Sequence, residues 1–222
     1  PLEWLFPPLE ASSCGAASET GFYEVLPRDA SGMASPGGYS LCFTDFATLT
    51  RVPVCADPGC AHDSEACTGW LTENTSVAVW NGQLILGNLD GSGFQWLDCM
   101  EPDGSNRHRL ITLPANLSLL EPVAASGQAF YGVGVSVDPN DPEAKPSAGL
   151  YRLDPATGRT AELPLPGENR VGEAVPYPLL AEWDSLFLVE TGTRRIDSHL
   201  AVISKEDFWA GKAAYTPITD AR

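Results

Sequence analysis

The sequence has few basic residues and no long apolar run. Lys and Arg together number 13 against 29 Asp and Glu, so the formal net charge is −16 at pH 7. Because phosphate groups repel such a surface, duplex nucleic acid and anionic membranes are disfavoured as partners. No stretch approaches the roughly 18–20 consecutive apolar residues of a transmembrane helix. We therefore expect no nucleic-acid partner and no transmembrane segment.

The sequence also lacks the local signatures of the common enzyme classes. It contains no Gly-x-Ser-x-Gly elbow, no His-Glu-x-x-His and no phosphate-binding Gly-x-x-x-x-Gly-Lys-Ser/Thr. A site can also be assembled from loops far apart in the chain, so this absence favours a non-enzymatic protein without excluding an enzyme. We assign no catalytic and no cofactor-binding residue from the sequence.

Glycine and proline, by contrast, are frequent. The 21 Gly and 19 Pro recur between short apolar runs, which indicates many turns and few long helices. The pattern is clearest over residues 76–114, where Asn81-Gly82 is a strong hairpin signal between two β-prone runs. Further turn signals at 90–93 and 102–105 separate two more such runs. This segment predicts four antiparallel strands in sequence order.

The same order of runs and turns recurs along the chain. It returns over residues 122–165 and 177–219, and the hairpin glycines Gly82 and Gly127 lie 45 residues apart. Four strands per repeat at this period favour a β-propeller over the alternative, a β-sandwich. Residues 38–54 resemble the second half of an earlier unit. The predicted fold is all-β and propeller-like, with about three and a half four-stranded antiparallel blades in an incomplete ring.

Two domain assignments follow from this repeat pattern. Residues 1–37 are interpreted as an N-terminal segment with one possible edge strand, and residues 38–222 as the repeat domain. Because natural proteins cover or pair exposed strand edges, we expect residues 21–26 to pair with the last unit, or a second copy of the chain to do so. A homo-oligomer through exposed blade edges is therefore a candidate assembly.

Trp80, Trp96, Trp183 and Trp209 are predicted to pack in the core rather than to form a sugar-binding platform.

The densest chemical signal is a group of three cysteines and a histidine within thirteen residues. Cys55, Cys60, His62 and Cys67 form a Cys-x4-Cys-x-His-x4-Cys motif. Thiolate and imidazole are the ligands that zinc prefers, and Cys3His is the composition of a closed structural site. The motif therefore predicts a structural zinc site with no open coordination position.

Disulfide bonds are the alternative interpretation of this loop. The chain has six cysteines, including Cys14, Cys42 and Cys99 outside the motif, and six can pair in fifteen ways. Cys55 with Cys67 is the first candidate pair. Cys42 and Cys99 fall within predicted strands, where they could pair or act as small buried apolar residues.

A resemblance to a known group of proteins rests on residues 38–49, on Val52-Pro-Val ahead of Cys55, on the four Cys and His residues, and on Trp70. Together they resemble a motif common in uncharacterised extracytoplasmic lipoproteins of Gram-positive gut bacteria, in which propeller repeats follow. The resemblance implies a propeller-like fold and an extracytoplasmic or cell-surface location, and it implies no established activity. The even cysteine count in a Gly- and Pro-rich β chain indicates the same compartment.

These observations predict a non-enzymatic, extracytoplasmic binding or scaffold module for protein or glycan partners, with a structural Cys/His loop. The alternative is a carbohydrate-active hydrolase with a site assembled from several blades. A pair of carboxylates about 5–10 Å apart in one pocket would favour that alternative. A third hypothesis is that the Cys/His loop senses metal or redox state.

Overall fold

The computed structural model describes residues 2–6, 15–28, 38–72, 75–90, 93–138, 140–141, 146–163, 179–191 and 199–218. In these residues the chain is almost entirely β, with 18 strands and one short helix. It divides into two compact units, residues 5–112 and residues 113–222 with residues 1–4. The first strand, β1 (Glu3–Phe6), crosses the boundary between them.

The unit of residues 5–112 begins with a five-stranded antiparallel sheet. Strand β3 alternates buried and partly buried side chains, the pattern of a strand with one face on a core. Strand β4 carries β5 and the two-residue strand β6 on the edge opposite β3. The strands are β2 (Gly15–Ala17), β3 (Gly21–Pro27), β4 (Tyr39–Asp45), β5 (Arg51–Pro53) and β6 (Trp70–Leu71).

The second sheet of this unit is a meander in sequence order. Its first turn has positive φ at both Asn81 (50°) and Gly82 (78°), as a two-residue hairpin turn of the mirror-image type requires. One face of this sheet packs against the first sheet, with Val77, Leu84 and Leu86 buried beside Tyr23 and Leu41. The strands are β7 (Thr75–Trp80), β8 (Gln83–Asp90), β9 (Gly93–Met100) and β10 (His108–Thr112).

The other unit also contains two groups of four antiparallel strands, and the two groups share a core. That core contains the buried side chains of Tyr131, Phe187 and Phe208, whose rings lie in edge and tilted contacts. The first group comprises β11 (Leu117–Ser126), β12 (Ala129–Ser136), β13 (Ser147–Asp154) and β14 (Arg159–Leu163). The second comprises β15 (Leu179–Trp183), β16 (Leu186–Thr191), β17 (His199–Ser204) and β18 (Thr216–Pro217), with helix α1 (Lys205–Trp209) after β17.

The predicted repeat architecture is confirmed. Within each of the three segments expected near 76–114, 122–165 and 177–219, four successive strands pair antiparallel in sequence order, so they do not alternate between facing sheets as in a sandwich. The all-β, propeller-like fold class is therefore correct. The earlier unit has more strands than predicted. Residues 15–53 form four strands, whereas the sequence predicted only the second half of a four-stranded unit in this region.

The predicted partner of residues 21–26 is wrong. Strand β3 pairs with β2 on one edge and with β4 on the other, so neither edge is available for the last unit. Closing a short loop to β4 costs less chain entropy than reaching a segment more than 150 residues away. The predicted boundary between residues 37 and 38 adjoins residues 29–37, which lie outside the described residues, and it stays a prediction.

No helix in the described ranges is long and apolar enough to cross a membrane.

Candidate metal centre

The Cys/His loop, residues 54–69, leaves the first sheet and returns to the same edge of it. Leu41 in β4 anchors both ends, because its carbonyl accepts from the Val54 amide at 2.9 Å and its amide donates to the Gly69 carbonyl at 2.9 Å. A side chain on Gly69 would collide with the Val54 carbonyl oxygen, 2.4 Å from an added Cβ. The two ends of the loop are therefore held close together by the backbone of one strand residue.

The loop brings all four predicted ligands together. The Sγ atoms of Cys55, Cys60 and Cys67 and a ring nitrogen of His62 lie within 4.8 Å of one another. Bonds of about 2.3 Å to sulfur and about 2.0 Å to nitrogen in a tetrahedron place ligand atoms roughly 3.5–3.8 Å apart. His62 Nδ1 lies 3.4 Å from Cys67 Sγ, which matches that spacing. The four residues could therefore hold a single metal ion.

Short turns inside the loop orient the ligands. Asp57 accepts from the Gly59 amide at 2.8 Å through Oδ1, and its carbonyl accepts from the Cys60 amide at 3.1 Å. This turn redirects the chain between the first two cysteines. His62 has a positive φ of 55°, an uncommon conformation that gives a second reversal directly after Cys60. The Cys67 amide donates to the Ser64 carbonyl at 3.0 Å and forms the third turn.

Backbone hydrogen bonding and burial give the thiols of the loop different acidities. The His62 amide donates to Cys60 Sγ at 3.3 Å. The pKa of Cys55 is lowered to about 6, mainly by hydrogen bonding with the backbone of Asp57. Burial is the main cause that raises the pKa of Cys67 to about 11. A cation between these sulfur atoms would favour the deprotonated form of Cys67, because opposite charge lowers a thiol pKa.

The five described cysteines are free thiols, and the candidate Cys55–Cys67 bridge is not formed. Cys42 in β4 and Cys99 in β9 are buried, and burial raises the pKa of both. They behave as small packed side chains, one of the two roles left open for them. Cys14 lies outside the described residues.

Arg28, at the end of β3, holds the middle of the loop. Its guanidinium donates to the His62 carbonyl through Nη1 at 2.7 Å and lies 3.7 Å above the ring of Trp70. Its Nε donates to Ser40 Oγ at 3.3 Å. Sequence reasoning did not find Arg28, because nothing in its local sequence marks a contact with a residue 34 positions later.

A cavity of about 380 Å³ opens beside Cys67. Its two carboxylates are those of Glu65 and Asp98. Asp98 accepts from Arg109 Nε at 2.6 Å and from Arg107 Nη2 at 3.3 Å. Because both Asp98 oxygens are engaged by arginines, the cavity does not present the pair of uncommitted carboxylates that glycoside hydrolysis uses.

The predicted core role of the tryptophans is wrong for two of the four. Trp183 is 78% exposed and Trp209 is 45% exposed, whereas Trp80 and Trp96 are partly buried. Trp209 donates from its indole nitrogen to the Tyr131 hydroxyl at 2.8 Å, so its orientation is fixed. Trp183 ends β15 at the turn to β16, where its side chain is left in solvent.

Comparison with known proteins supports the fold only. No family model and no curated protein matches the chain. Among solved structures, the chain resembles an oligogalacturonate lyase in complex with manganese, at 14% identity and a TM-score of 0.53 over 100% of this chain and 55% of that one. A GH74 xyloglucanase from Xanthomonas campestris matches at 15% identity and a TM-score of 0.45, over 94% of this chain and 30% of that one. The chain thus spans about half the length of the lyase.

Proposed function

We propose that this chain is an extracytoplasmic, non-enzymatic binding or scaffold module for protein or glycan partners, in which Cys55, Cys60, His62 and Cys67 bind a structural zinc ion. The mutual approach of the four ligand atoms within 4.8 Å carries the zinc part of the proposal. Four protein ligands complete a tetrahedron, so no position remains for a water molecule or a substrate. A site of this type stabilises a loop and does not activate a nucleophile.

The charge distribution around the loop also supports a structural role over catalysis. Asp98 has a buried side chain and lines the cavity beside Cys67, and it is paired with Arg107 and Arg109. Zinc would add no reactive group to this arrangement, because three thiolates offset its charge and leave it a weak Lewis acid. The role of the domain would then be binding through its loops and exposed side chains, which a rigid β scaffold positions.

The zinc proposal is tested by elemental analysis of the purified protein together with intact mass before and after reduction. We expect about one zinc per chain and no gain of mass on reduction. A metal-free protein whose mass increases on reduction would overturn the zinc site in favour of disulfide bonds. Cobalt substitution gives a second readout, since tetrahedral thiolate ligation produces intense visible absorption bands.

The binding proposal is tested against the hydrolase alternative with neutral and acidic polysaccharides. Retardation of the protein in gels containing a polysaccharide, without release of new reducing ends, would support a glycan-binding module. Release of reducing ends would overturn the non-enzymatic role. The location is tested separately, by labelling intact cells that express the full protein with a membrane-impermeant reagent.

A further inference from the structure

A single turn of the second sheet lies against the two ends of the Cys/His loop. This turn, residues 101–107, joins β9 to β10. It is closed by the Glu101 amide, which donates to the Ser105 carbonyl at 2.9 Å, and by Asp103 Oδ1, which accepts from the Ser105 amide at 2.8 Å. The turn is thus closed by hydrogen bonds among its own residues.

Gly104 is the point of contact with the first end of the loop. It is buried, its φ is +91°, and an added Cβ would lie 2.9 Å from Cys55 Cα and 3.0 Å from Cys55 N. Backbone atoms cannot move aside as a flexible side chain can. Any side chain larger than hydrogen at residue 104 must therefore displace Cys55, the first ligand of the proposed zinc site.

Arg107 holds the second end of the loop. Its Nη1 donates to the carbonyl oxygens of Thr68 at 3.1 Å and Trp70 at 2.9 Å, directly after the ligand Cys67. Its Nη2 donates to Asp98 Oδ2 at 3.3 Å, and Asp98 is buried in β9. The planar guanidinium thus connects the chain that follows Cys67 to a fixed point in the second sheet.

We propose that Gly104 and Arg107 are positioning residues for the metal centre, which set the separation of Cys55 and Cys67 from outside the ligand loop. The proposal rests on the proposed zinc site. Groups that orient metal ligands commonly change metal affinity by about 10- to 100-fold when they are replaced.

The test of Gly104 compares Gly104→Ala with Gly82→Ala. Both glycines have positive φ and lie in turns of the same sheet, but an added Cβ at Gly82 meets no atom within 4 Å. The two variants therefore share the backbone strain, and only Gly104→Ala also displaces Cys55. We expect a zinc dissociation constant at least about 10-fold higher for Gly104→Ala, measured by competition with a chromogenic chelator, and an unchanged value for Gly82→Ala.

The test of Arg107 compares Arg107→Lys with Arg109→Lys. Both arginines donate to Asp98, but among their side-chain hydrogen bonds only those of Arg107 reach the Cys/His loop. Lysine keeps the charge and cannot reproduce the fork that reaches two carbonyls and a carboxylate. We expect weaker zinc binding and shifted cobalt absorption bands for Arg107→Lys alone.

The outcomes separate this proposal from the one on which it rests. If the wild-type protein takes up no metal, the zinc site itself is overturned, and the positioning roles are overturned with it. If the wild-type protein binds zinc but each variant matches its control in affinity and in the cobalt spectrum, the positioning proposal is overturned and the zinc site stands.

Discussion

The Cys/His loop and the last sheet, β15–β18 with α1, are held in place by different forces. In the loop, residues 54–69, the only buried side chains are those of Val54 and Cys67. In the last sheet, Phe187, Val189 and Phe208 are completely buried in one core. Apolar burial can stabilise the sheet. The loop depends instead on backbone hydrogen bonds, on the side-chain hydrogen bonds of Arg28 and Arg107 and, in our proposal, on zinc. The comparison shows that regular and irregular segments of one chain can be stabilised by different kinds of interaction.

The two regions also differ in the partners that surround their ionisable side chains. Glu182 in β15 accepts from Ser126 Oγ at 2.6 Å and is paired with Lys205. Burial raises the pKa of Glu182, but these hydrogen bonds outweigh that effect and lower it below 4.5. In the loop, three thiols lie together without an arginine or lysine among them. The sheet therefore neutralises its charge with side chains, whereas in our proposal a zinc ion neutralises the thiolates of the loop.

The largest predicted effect is that of losing the metal. We expect His62→Ala to abolish stoichiometric zinc binding, because structural zinc contributes roughly 10–16 kcal/mol to such sites and three ligands hold it far less tightly. Amide hydrogen exchange in residues 54–69 should become faster, while exchange in β16 and β17 stays unchanged. His108→Ala is the matched control, since His108 is exposed and is not one of the four ligands. Full zinc content in His62→Ala would contradict the assignment.

The next largest effect is expected from a substitution that weakens the last sheet and leaves the loop unchanged. Phe187→Ala removes a fully buried ring that contacts Tyr131 and Phe208. The expected loss is about 3–5 kcal/mol of unfolding free energy, measured by denaturant titration, with zinc content unchanged. A loss of zinc in this variant would show that the two regions are not independent.

A smaller effect is expected from the charged pair in the last sheet. Glu182→Gln removes the carboxylate that pairs with Lys205, and we expect a cost of about 2 kcal/mol. Because the folded-state pKa of Glu182 is lowered, its contribution is fully present above 4.5 and is lost as the pH falls through the folded-state value. When the pH is lowered from 5 by about one to two units, the wild-type protein should thus lose more unfolding free energy than Glu182→Gln. Parallel pH profiles for the two proteins would contradict this.

The smallest effect is expected in the first sheet, next to the loop. Arg51 Nε lies 2.7 Å from Glu24 Oε1, but the Arg51 side chain is 55% exposed. Exposed pairs of this kind contribute about 0–1 kcal/mol. We therefore expect Arg51→Ala to change thermal stability little and zinc affinity not at all. A marked loss of zinc would mean that β5 contributes to the metal centre.

The strand repeats could be predicted because local chemistry encodes them. Asn81-Gly82 specifies its hairpin through backbone conformations that few other residues adopt. The ligand set could be predicted because Cys55, Cys60, His62 and Cys67 are close in sequence. Arg28 and Arg107 could not be found in this way, because their partners in the loop lie more than 30 residues away. The exposure of Trp183 was missed for a related reason, since a tryptophan does not by itself indicate whether another element will cover it.

The sequence by itself determined the turns, the order of the strands and the four candidate ligands, because each depends on residues a few positions apart. Only the tertiary structure decided that β3 pairs within its own sheet, and that the turn containing Gly104 meets Cys55. These contacts join distant segments, and several arrangements of the same strands satisfy the same local preferences. Close packing of backbone against backbone selects among them.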